Sequence, residues 1–149
     1  MRVSALVAAI LLASHSTPTL AQVGGDIGRI KIASGIASVV RGGQTIAATP
    51  GLPLRKGDIL TTGKTGRIGA TFYDNSRFAA GPNSRVTVSE FLFNETTHDG
   101  KFVTQVDRGS LAIISGQIAK RNKDAMRVRT PTALLGVRGT RFVVEVKGS

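Results

Sequence analysis

Apolar and polar residues alternate with a period of two over most of this chain, and turn-forming residues interrupt the alternation every few positions. In Arg67–Tyr73, Ile68, Ala70 and Phe72 fall on one side while Arg67, Thr71 and Tyr73 fall on the other. Successive side chains of a strand point to opposite faces, so this spacing buries one face and wets the other. Val86 and Val88 oppose Arg85, Thr87 and Ser89 in the same way. Met126 and Val128 oppose Arg127 and Arg129, and Phe142, Val144 and Val146 oppose Arg141, Glu145 and Lys147. Ile30 and Ile32 oppose Arg29 and Lys31, which predicts that both isoleucines face the core. Between these runs lie Gly42-Gly43, Pro50-Gly51, Lys56-Gly57-Asp58, Asp74-Asn75-Ser76, Gly81-Pro82-Asn83, Asp99-Gly100 and Gly109-Ser110, all turn chemistry. No segment beyond residue 21 carries the stripe of an amphipathic helix.

The pattern predicts an all-β fold: a single domain of short twisted strands in solenoid-like or sandwich-like sheets. Strands are expected near 28–33, 36–41, 44–48, 59–62, 66–73, 76–80, 85–93, 101–107, 109–115, 126–130 and 141–147, with 22–27 as a short lead. The polar run Ala119–Ala125 reads as an exposed loop. A chain of 149 residues suits one domain, and a chain of that size buries enough surface to fold without disulfides. The sequence contains no Cys, which excludes disulfide staples, thiolate metal sites and a cysteine nucleophile.

Residues 1–21 depart from the pattern. Arg2 precedes the apolar run Val3–Ala13, and a small, polar stretch follows it, ending Thr19-Leu20-Ala21. These are the three regions of a cleavable signal peptide, with cleavage expected after Ala21. The apolar run is too short for a membrane span, which needs about 20 residues. The expectation is an exported protein, periplasmic or secreted, with no transmembrane segment in the mature chain.

Catalytic chemistry finds little footing. His15 would leave with the signal peptide, so His98 is the one remaining imidazole, in the polar stretch Asn94–Lys101. A Ser-His-Asp arrangement or a metal centre needs more than that. Gly57–Thr65 approaches a phosphate-binding loop, but its glycines are one residue too far apart and a strand follows where a helix is required. The reading is a protein that is not an enzyme, with no catalytic residue, cofactor or metal.

The charge is +11, from 20 Lys and Arg against 9 Asp and Glu. Arg67, Arg85, Arg127, Arg129 and Arg141 occupy the polar sides of their strands and form a candidate anion-binding face, with Arg29 and Lys31 placed similarly. On adjacent strands such charges would sit about 5 Å apart and repel by roughly 0.8 kcal/mol per pair in water. An anionic envelope polymer, such as lipopolysaccharide or acidic polysaccharide, or another envelope protein with an acidic surface would relieve that. Nucleic acid is a poor fit: the chain is read as exported, carries no recognised nucleic-acid motif and has few aromatics to stack on bases. No sequence feature specifies an oligomeric state.

Taken in order, the motifs form a series. Gly28-Arg29-Ile30 and Ser38–Arg41 lead to Leu54–Thr62, Gly69–Ser76, Asn83–Val88 and Gly109-Ser110-Leu111, and the series ends in Val128–Ala133 and Gly136–Phe142. Across roughly 28–147 this resembles the FecR domain family. Gly57, Asp58, Thr61, Asp74, Ser76, Pro131, Gly136, Gly139, Thr140 and Phe142 carry the resemblance, and local chemistry suggests structural roles for them. Asp58 follows a turn glycine and is placed to accept from backbone amides. Asp74-Asn75-Ser76 suits a tight hairpin. Pro131 keeps Thr130 extended, and Gly136 and Gly139 bracket a turn into the last strand. The resemblance implies a compact all-β module outside the bacterial cytoplasm. Well-known members are anti-sigma regulators of iron uptake that add a cytoplasmic segment, a membrane span and a C-terminal extension. This sequence shows none of those additions, so the expectation is the exported interaction or signalling module alone.

Overall fold

The computed structural model describes residues 25–148; Ala21 and the rest of the expected signal peptide lie outside them. The chain runs through β1 (Asp26–Ser34), β2 (Ala37–Arg41), β3 (Gln44–Ala47), β4 (Pro53–Arg55), β5 (Ile59–Thr62), β6 (Arg67–Phe72), β7 (Arg77–Ala80), β8 (Arg85–Phe93) and β9 (Gly100–Ile114). A one-turn helix, α1 (Gln117–Arg121), then leads to β10 (Met126–Arg129), β11 (Leu134–Gly136) and β12 (Arg141–Val146).

Two curled sheets share β9. Its C-terminal half, residues 109–114, lies between β7 and β12 in a sheet ordered β4-β1-β6-β7-β9-β12. Its N-terminal half lies between β8 and β10 in a second sheet, β3-β2-β5-β8-β9-β10-β11. Gly109 marks the change of sheet. Its φ of +87° suits glycine, and a Cβ there would run into Ser84. Every pairing is antiparallel except β9 with β10, and the connection through α1 supplies the crossover a parallel pair needs.

The inner faces of the sheets meet on four phenylalanines. Phe72 and Phe78 come from the first sheet, Phe91 and Phe102 from the second. Phe72 and Phe102 lie 4.8 Å apart and edge to face, as do Phe91 and Phe102 at 4.9 Å. Such pairs add to the area term of burial. Ile30, Leu54, Leu60, Ile68, Leu111 and Met126 close the core around them.

The fold is mostly β, as the alternation implied, with several departures from the expected layout. Ile32 is 64% exposed. Ile30 pairs with Ala70 but Ile32 pairs with Gly69, so Lys31 is an extra residue in a bulge. One inserted residue turns every later side chain to the other face. Gly109-Ser110 does not end a strand, because the two runs expected there are one strand that changes partners. β4 and β11 were not expected; each is three residues long, too short for its period to be read. Part of the expected loop 119–125 is helical, since Ile118 is fully buried and anchors α1.

The bulge yields a contrast between neighbours of equal size. Ile30→Ala should cost about 2–5 kcal/mol of unfolding free energy, and Ile32→Ala less than about 1 kcal/mol. Urea titration of both variants measures this, and equal losses would put Ile32 back in the core.

Candidate interaction surface

The family-motif residues Asp58, Asp74 and Ser76 sit in polar knots beneath the surface. Asp58 is buried and receives both ends of a guanidinium, Arg41 Nε on Oδ1 at 2.8 Å and Arg41 Nη2 on Oδ2 at 2.6 Å. The Arg55 N–H also donates to Oδ2, at 2.8 Å. Arg41 Nη2 reaches the Pro53 carbonyl as well, which ties β2 to β4. The hydrogen bond to Asp58 raises the Arg41 pKa; burial opposes this, and attraction to Asp58 and Asp26 adds to it.

Asp74 is fully buried and accepts from the Ser76 N–H and Ser76 Oγ, at 3.0 and 2.7 Å. Asn75 between them is left-handed, at φ +67°. Ser76 Oγ accepts from the Gly116 N–H, and the Asp74 carbonyl from the Gln117 N–H, so this hairpin seats the start of α1. A Cβ on Gly116 would strike the Asp74 carbonyl. A third knot joins Thr62, Ser84 and Ser110: the Ser84 N–H donates to Thr62 Oγ1, and the Ser110 N–H to Ser84 Oγ.

Other motif residues lie nearer the surface. Gly57 turns at φ +88°, and the Thr61 hydroxyl faces the Ser38 carbonyl at 3.5 Å. Pro131 is exposed in a turn closed by the Thr130 N–H on the Ala133 carbonyl. Gly136 ends β11, so the turn before β12 begins only at Val137, which is buried. The carbonyls of Gly139 and Thr140 accept from Ser115, and Phe142 packs half-buried against the core.

The outer face of the first sheet is organised by register into rows. One row crosses β1, β6, β7, β9 and β12 as Arg29, Thr71, Arg77, Ile114 and Arg141. Its arginines stand on alternate strands, about 10 Å apart, and Thr71 and Ile114 hold them from one another. The next row is Ile32, Gly69, Ala79, Ala112 and Val143. Three small residues in the middle leave a trough, and Ile32 and Val143, 64% and 70% exposed, rise at its two ends. Depressions of about 580 and 330 Å³ lie along the trough, the larger reaching Arg77 and the smaller Arg67. Arg29, Arg67, Arg77 and Arg141 have no ion-pair partner among the described residues.

This arrangement corrects the single basic face. Arg67 and Arg141 belong to the first sheet, whereas Arg85, Arg127 and Arg129 belong to the second, whose outer side points the opposite way. Arg85 is also partly neutralised by Asp107, at 3.4 Å. On the second sheet the Lys101 hydrogen bond lowers the Glu90 pKa, so that face carries both signs. Arg77, absent from the expected set, completes the row on the first sheet. It stands next to the hairpin Asp74–Ser76, where the period-two pattern is hardest to anchor.

His98 lies in the exposed turn after β8, with its ring stacked on Phe93 at 6.1 Å. Among the described residues no three His, Cys, Asp or Glu side chains gather closely enough to hold a metal ion, and no helix is long and apolar enough to cross a membrane.

The family model described as FecR protein matches residues 58–149. Comparison with curated proteins and with solved structures gives no match. The matched span opens on Asp58, while the arginine that clasps it, Arg41, precedes the span.

Removing one member of that clasp leaves the other charge without its partner. Arg41 is a quarter exposed, so water recovers part of the loss. Asp58→Asn should cost about 1–3 kcal/mol. Arg41→Lys should cost nearly as much, because an ammonium makes no two-pronged contact. Thermal and urea melts measure both, and a neutral Arg41→Lys would show that the charge alone matters.

Proposed function

The chain belongs to the FecR family, and from that membership we propose that it is an exported, non-catalytic interaction and signalling module of the bacterial envelope. The outer face of the first sheet is its working surface. The observation that carries this reading is the trough of Gly69, Ala79 and Ala112 with a row of unpaired arginines along one side. An apolar floor beside ordered cations suits a protein partner with an apolar ridge and acidic flank, because such a partner gains burial and charge complementarity together. The leader-like residues 1–21 support delivery outside the cytoplasm.

Ala79 is exposed in the middle of the floor, so a large side chain there blocks the trough without touching the core. Cross-linking in envelope extracts should link wild-type protein to a defined partner, and Ala79→Trp should lose that product while keeping its circular dichroism. Identical products from the two proteins would reject the surface.

A second reading, binding of an anionic polymer, is favoured by Arg29, Arg77 and Arg141 lying in one row. Retention on a sulfated-polymer column should then fall with salt. Arg77→Glu combined with Arg141→Glu should reduce it more than Arg127→Glu combined with Arg129→Glu. Equal reductions would mean that net charge, and not the row, governs retention.

A further inference from the structure

The two sheets end on four strands, and three of these are short. β4 has three residues and begins with Pro53, β11 has three, and β3 has four. β12 has six, and it pairs with β9 from Arg141↔Ile114 to Val146↔Gly109 without a break in register. Among the described residues it pairs with no other strand. Sheets ordinarily blunt their edges with proline, bulges, charged side chains or brevity. β12 has no proline, bulge or inward charge, and the two exposed charges it carries, Arg141 and Glu145, are of opposite sign. Its centre, Val143, is apolar and 70% exposed.

We propose that β12 pairs with β12 of a second copy, antiparallel, about a two-fold axis through Val143. In a continuous sheet, opposed residues must share a face, and a two-fold axis makes the pairing reciprocal. Centring on Val143 sets Arg141 against the partner's Glu145 and Glu145 against the partner's Arg141. Val143 meets the partner's Val143 on the outer face, and Phe142 meets the partner's Val144 on the core side. Centring on Val144 instead would oppose Arg141 to the partner's Lys147 and Val143 to the partner's Glu145. Centring on Phe142 would leave Glu145 opposite the partner's Gly139. Charge therefore selects one register, and the strand is complementary to itself in that register. Val143 also ends the small-residue row, so the two troughs join end to end across the axis. The contact is one strand wide, below the usual size of a stable interface, so the dimer is weak and depends on concentration.

The absence of cysteine makes the register directly readable. Opposed residues have Cα atoms about 4.5–5.5 Å apart, within the span a disulfide bridges. Mild oxidation of purified Val143→Cys protein should give a covalent dimer. Glu145→Cys alone should not, because its two copies would lie about 14 Å apart, but an equal mixture of Arg141→Cys and Glu145→Cys should. In sedimentation velocity the unmodified protein should associate as concentration rises. Arg141→Glu or Glu145→Arg alone should weaken association at least tenfold, and mixing the two should restore it. All three positions of change are exposed, and circular dichroism verifies that the variants fold. Concentration-independent monomer without a Val143→Cys cross-link overturns the proposal. Equal cross-linking at Glu145→Cys overturns the register.

Discussion

The domain depends on the passage of β9 from one sheet to the other. A fifteen-residue strand whose first half serves one wall and second half the other must turn without losing its hydrogen bonds, and Gly109 makes that turn. Its left-handed backbone lies against Ser84, whose hydroxyl accepts from Ser110 and so repairs the ladder where it bends. Once β9 is bent, Phe102 from one half and Leu111 and Ile113 from the other point into the same interior. Phe72, Phe78 and Phe91 then pack on Phe102, and the remaining strands add outward from that axis.

Buried polar groups supply what the apolar core does not specify. The clasp of Arg41 on Asp58 binds β2 to the β4–β5 turn across 17 positions of sequence. The Asp74–Ser76 hairpin holds the start of α1 across 40 positions. Hydrogen bonds of this reach discriminate between registers that would bury equal apolar area, since a slipped strand would leave a carboxylate without donors. That accounts for motif residues with clear structural work lying deep in the fold while the open outer face is lined by plain alanines and glycine.

Much of the fold was legible because β6, β7, β10 and β12 keep an unbroken period of two on one wet and one dry side. Reading failed where a distant contact overrides the local pattern. Nothing near Ile32 announces that Lys31 will bulge; the slip is decided by pairing with Gly69 on β6. Arg41 looks like any strand arginine until Asp58 is brought to it. The trough was invisible for the same reason, since Gly69, Ala79 and Ala112 belong to three strands and become neighbours only through register. The basic residues were recognised singly, but their division between two outer faces depends on which sheet each strand joins.

Two of the last three strands grip the same partner on opposite halves: β10 lies along the start of β9 and β12 along its end. Residues 126–146 thus act as a brace across the fold, fastened on either side of the bend. Chain cleavage after Ala125 would loosen both walls together, and neither wall could be lifted out as a working unit. For a designer seeking loops that tolerate insertion, the hairpin tips at Gly42-Gly43 and Glu95–Asp99 are safer than any site beyond Met126.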